Sequence, residues 1–190
     1  MAAVALGIKP HSGWAVLVAV TGPRDVELVH RARIEVLADG DPKQPWHLAQ
    51  DAGMDPDAAQ ALADRVERGA LDAARRSLQE ATAAVEAAGH AATIGAVIGV
   101  PRDVPPAASV LRSHTLLHSA EGELFRSALA EAVADAGLDV VVVEPSAISL
   151  APHADLLATL GKSAGPPWRA DHKAAVAAAL SALGRGPGRA

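Results

Sequence analysis

The chain contains no cysteine. That absence excludes a disulfide scaffold, a thiolate zinc site and a cysteine nucleophile. Aromatic residues are almost as scarce, with three tryptophans, one phenylalanine and no tyrosine. Trp14, Trp46, Trp168 and Phe125 are the only large anchors, so the core must be assembled from Val, Leu, Ile and Ala. No run reaches the ~18 apolar residues that a membrane-spanning helix needs. The apolar opening, residues 1–20, is cut by Lys9, Pro10 and His11 and has neither a basic leader nor a small-residue cleavage site. A soluble, cytoplasmic chain that does not associate with membranes is therefore expected. The net charge of -5 excludes a strongly basic nucleic-acid coat but leaves room for a local basic patch. Three signatures are missing as well: G-x4-G-K-[ST], G-x-G-x-x-G and G-x-S-x-G. Gly161-Lys162-Ser163 lacks the upstream glycine of a phosphate-binding loop.

What is present suits one domain over residues 1–184, followed by a flexible tail at 185–190. Alanine makes up about a quarter of the chain, which biases marginal segments toward helix. Residues 3–8, 14–21 and 26–37 read as strands, joined by turns at 9–13 and 22–25. Tight turns between strands predict an antiparallel meander. A long polar loop is expected over 37–56, then helix over 57–88, with Gly69 a potential break and Gly89 the cap. A buried strand follows at 91–100, a loop at 101–106 and one long helix over 107–136. The next strand is 138–143, with helix over 146–160, a loop at 161–167 and a last helix over 168–183. Helical crossovers between the later strands require parallel pairing. The prediction is an α/β fold with a mixed five-stranded sheet, three antiparallel strands followed by two parallel ones, and helices on both faces.

Three short segments carry a family resemblance. Leu6-Gly7-Ile8-Lys9-Pro10-His11-Ser12-Gly13 is similar to the opening strand and turn of RuvC-type Holliday-junction resolvases and their YqgF-type relatives. Val97-Ile98-Gly99-Val100-Pro101 resembles the YqgF-type V-G-[LI]-P at the fourth strand. Ala170-Asp171-His172-Lys173-Ala174-Ala175-Val176 resembles the start of the last helix in these families. The resemblance implies an RNase-H-like fold and metal-dependent phosphodiester cleavage, in which carboxylates hold two Mg²⁺ ions. This chain departs from that pattern. Lys9 stands at the first-strand acid, and the acid after the fourth strand falls near Gly99 and is missing. Glu144, just after the fifth strand, and Asp171, on the last helix, are the two acids that remain. Lys9 can pair with Glu144 or Asp171, bind a phosphate or acidic ligand, or be a plain turn lysine. The resemblance therefore implies a binding or regulatory module related to nucleic-acid metabolism, without two-metal catalysis.

The alternative is a metal-dependent nuclease or hydrolase with a relocated site. His114, His118 and Glu121 stand at i, i+4 and i+7, hence on one helical face. That spacing suits zinc or another divalent metal, a polar ligand pocket, or hydrogen-bonded histidines at the edge of a core. His114, His118, Glu144 and Asp171 are the candidate catalytic residues. Lys9, His11, Arg102 and Trp168 are candidate ligand contacts: His11 lies in the first turn, Arg102 after the fourth strand, and Trp168 before the last helix, where it can stack a base or act as a packing staple. Trp46 is either a partner contact or the anchor of its loop. The arginines at 65, 68, 75 and 76 are diluted by acids and read as a solvated face. Phe125 and the apolar helix faces are able to serve a homodimer.

Overall fold

The computed structural model describes residues 3–22 and 25–185. The middle of the expected turn at 22–25 and the expected tail beyond 185 lie outside the described residues. Five strands form one sheet in the order β3-β2-β1-β4-β5. β1 (Ala3–His11), β2 (Trp14–Thr21) and β3 (Leu28–Glu35) are an antiparallel meander. β4 (Ala91–Ile98) pairs parallel with β1, and β5 (Asp139–Val143) parallel with β4. The mixed sheet expected from turns and crossovers is the one that forms.

Strand alternation sorts β1 between two cores. Val4, Leu6 and Ile8 enter a cluster with α2 (Pro56–Ala87) and α4 (His114–Asp135). Ala5 enters the opposite cluster, against α5 (Ala154–Ala164) and α6 (Ala170–Arg185). Helices thus cover both faces. On the α6 side the contact is between backbones: a Cβ on Gly7 would stand 1.9 Å from the Ala175 carbonyl oxygen. Glycine on the strand and alanines on the helix are what permit that approach.

Several boundaries differ from expectation, each for a local reason. β1 runs on through Lys9, Pro10 and His11 instead of turning at Lys9. Its pairing with β4 ends at Ile8↔Val97, so the missing N–H of Pro10 falls beyond that ladder. The segment 37–56 is not a bare loop: α1 (Pro45–Asp51) starts on Pro45 and buries Trp46. Trp46 is therefore an anchor, packed with Ala49, Leu117 and Ala120. Helix α2 passes through Gly69 unbroken; the glycine serves a close approach, since a Cβ there would stand 2.7 Å from Asp41 Oδ2 on the adjoining segment. The helix expected over 107–136 divides into α3 (Ala107–Val110) and α4, since Ser113 caps α4 by accepting the Leu116 N–H. Pro152 similarly limits 146–153 to 3-10 turns, and α5 runs to Ala164. Phe125 is 1% exposed within the α2–α4 core, which removes it as a dimer contact. Among the described residues, no helix is long and apolar enough to cross a membrane.

Candidate functional site

The expected site residues gather in two places, on opposite faces of the sheet. The first is the carboxyl end of β1 beneath α6. Gly7, Lys9 and His11 alternate onto the α6 side. His11 Nε2 lies 3.3 Å from Asp171 Oδ2, in the first turn of α6. That nitrogen is buried and has no aligned hydrogen bond among the described residues. The His11 ring stacks on Trp14 at 4.0 Å between centroids, and the Arg33 guanidinium sits 4.1 Å from the centre of the Trp14 ring. His11 and Arg33 reach Trp14 from β1 and β3, the strands on either side of β2.

Asp171 thus pairs with His11, and Lys9 has no ion pair among the described residues. Gly99 turns toward α4, where a Cβ would meet the Arg126 side chain at 2.7 Å. On β4 the residue facing α6, and so sharing the side of Lys9, is Ile98, which is 3% exposed. Lys9 and Ile98 therefore occupy α6-facing positions of β1 and β4, and neither can bind a hard cation. Glu144 is exposed just after β5 and accepts from Ser146 Oγ at 3.3 Å. The residues present do not fit a pair of Mg²⁺ ions.

Beside this edge lies a groove of about 350 Å³ lined by Trp14, Arg31, Arg33, Arg169, Asp171 and His172. Arg31 donates to the backbone carbonyls of Ala164, Gly165, Pro166 and Pro167 and so fixes the segment that leads into α6. Arg169 is exposed, and its backbone N–H donates to His172 Nδ1 at 3.2 Å. Burial and then the nearby Arg31 guanidinium hold His172 below the ordinary histidine range. Trp168 is a packing strut: its indole N–H donates to the Leu157 carbonyl at 3.0 Å and its ring fills the space above Gly161. Trp14, which the sequence reading passed over, is the ring that lines the groove.

The second place is the amino end of α4. His114 and His118 stand one turn apart with ring centroids 4.5 Å from each other. Their third neighbour is His47 of α1, 4.6 Å from His118 and 5.5 Å from His114. Glu121, on the expected helical face, does not join the imidazoles as a fourth donor. It turns inward, 2% exposed, and its Oε1 accepts the His47 backbone N–H at 3.2 Å and contacts His47 Nδ1 at 2.9 Å. His47 was missed because its segment read as a loop. Pro45 at a helix start with Trp46 beside it was the available signal.

A cavity of about 360 Å³ lies between this helix and the strand ends, lined by Pro10, Gly99, Arg102, His118 and Arg126 among others. Glu123 accepts a two-pronged pair from Arg126 and the backbone N–H of Arg102. Arg102 itself is exposed at the rim. The candidate residues therefore divide between the two faces of the sheet. Lys9, His11 and Asp171 lie on the α6 side; His114, His118 and Glu121 lie on the α4 side.

Comparison with solved structures defines the fold. The chain has the RuvC-type, RNase-H-like fold. It superposes on RuvC from Thermus thermophilus in complex with a Holliday junction substrate with a TM-score of 0.57, covering 96% of this chain and 93% of that one at 14% identity. A second Thermus thermophilus RuvC structure gives 0.54, with 96% and 94% covered, again at 14% identity. No protein-family model matches the chain, and no curated protein matches it either.

Proposed function

We propose that this chain binds nucleic acid along the β1–α6 edge, as a binding or regulatory module, and does not perform two-metal phosphodiester cleavage. One observation carries the reading: Lys9 and Ile98 stand on the α6-facing side of β1 and β4, and Asp171 faces His11. Two-metal chemistry needs several oxygen ligands around the ions. A single carboxylate beside a histidine does not supply them. The adjoining groove suits an anion. There Arg169 and Arg33, the latter also paired with Glu35 at 3.1 Å, are positive and Trp14 offers a ring; cations interleaved with an aromatic surface attract phosphates and stack bases. A related fold has been captured on a Holliday junction, so a four-way DNA junction is the ligand to try first. The expected cytoplasmic setting and a homodimer belong to this reading, and sedimentation of the purified chain tests the dimer.

The test is fluorescence anisotropy of a labelled four-way junction, in EDTA, across a salt series. Binding is expected without metal, with affinity falling steeply as salt rises. An Arg33→Ala, Arg169→Ala double variant should weaken binding and reduce the salt slope by ~1–2. Absence of binding, or binding indifferent to salt and to both arginines, overturns the reading.

A further inference from the structure

We propose that His47, His114 and His118 form a binding site for one transition-metal ion, best matched by Zn²⁺, with buried Glu121 orienting His47. The site is independent of the nucleic-acid reading and lies on the other face of the sheet. One ligand atom from each imidazole lies within 4.8 Å of the other two. Tetrahedral bonds of about 2.1 Å place nitrogens ~3.4 Å apart, so a modest contraction closes the set on an ion. His114 and His118 are exposed and free to make that rotation.

Glu121 distinguishes this group from a chance meeting of surface histidines. A carboxylate can only accept, so the His47 nitrogen against it, Nδ1, carries the proton. Nε2 is then left with its lone pair as the donor for a metal. A carboxylate that fixes the tautomer and ring of a ligating histidine is a recurrent partner of bound zinc. The same oxygen also takes the His47 backbone N–H, which locks the start of α1 against α4. Among the described residues no Lys or Arg pairs with Glu121, and His47 is its one ion-pair partner. A buried carboxylate without a fixed cation is costly, and an ion held by His47 would supply the missing positive charge.

All-imidazole ligation selects Zn²⁺ and its first-row neighbours over Mg²⁺ or Ca²⁺, which need oxygen. Three protein ligands also leave a fourth position open, the arrangement of zinc sites that take water or an anion rather than purely structural ones. His118 lines the cavity shared with Gly99 and Arg102, so that open position adjoins space for a small anionic ligand.

The experiment titrates Zn²⁺ into chelator-stripped full-length protein by calorimetry, with a thermal melt at each loading. One equivalent should bind and raise Tm. A His114→Ala, His118→Ala double variant should melt like wild type in EDTA and lose both the binding and the Tm shift. Glu121→Gln, which acts only through His47, should weaken zinc about 10–100-fold while one equivalent still binds. Co²⁺ loaded into wild type should give the visible absorption of a tetrahedral nitrogen site, a readout that requires no variant to fold. No binding to wild type, or undiminished binding to the double variant, overturns the proposal.

Discussion

Two histidine–carboxylate pairs stand on opposite faces of this sheet, and they differ in every respect that sets their energetics. His47 and Glu121 meet at 2.9 Å with side chains 20% and 3% exposed, and the carboxylate takes a backbone N–H as well. His11 and Asp171 meet at 3.3 Å, 30% and 34% exposed, without an aligned hydrogen bond. The second pair includes Asp171, one of the acids to which the family resemblance in the sequence points, yet it is the looser and wetter of the two. The first lies where no family motif points, and it is built as a support. A loose pair and an organised one can therefore share one scaffold, and motif position alone does not say which is better built.

The largest expected effect breaks the comparison by detaching one side of it. Gly7→Ala forces a Cβ into the Ala175 carbonyl, a backbone atom that cannot rotate away. It should cost about 3 kcal/mol in chemical denaturation and displace α6, and with it Asp171, from His11. Next come the pairs themselves. Glu121→Ala removes the acceptor of both the His47 N–H and ring, and should cost about 2–3 kcal/mol. Asp171→Ala removes a half-exposed pair and should cost under about 1 kcal/mol. Equal losses in the two variants would abolish the distinction drawn between them.

A smaller effect concerns pH. His172 is held low by burial and then by the Arg31 cation, and His30 is held low by burial. Depressed histidines bind protons more weakly in the folded state than in the unfolded one. Their contribution to stability is full above about 6.5, the unfolded value, and is lost as pH falls through the lower folded values. Acidification below that point should lower the denaturation midpoint. His172→Asn should make the dependence shallower, and an unchanged slope would refute this assignment.

The topology was legible because connection length decides pairing: tight turns joined β1 to β3, and helical crossovers joined the rest. That Lys9 stands where the family resemblance implies an acid was legible. Which β4 residue shares its side was not, because one position separates Ile98 from Gly99 and a one-residue step reverses the face. His114 and His118 were visible through helical spacing. His47 was not, since it reaches Glu121 across 74 positions of sequence from a segment that read as polar loop. Only the docking of Trp46 into the α4 contact brings them together.

The most direct test of the account is the integrity of a labelled four-way junction after long incubation with the wild-type chain and Mg²⁺ or Mn²⁺, beside an Asp171→Asn control. The account predicts intact strands in both samples, with the junction bound to the same extent in EDTA. Metal-dependent cuts made by the wild type and abolished by Asp171→Asn would contradict it, and would mean that a two-metal centre assembles despite Lys9 and Ile98.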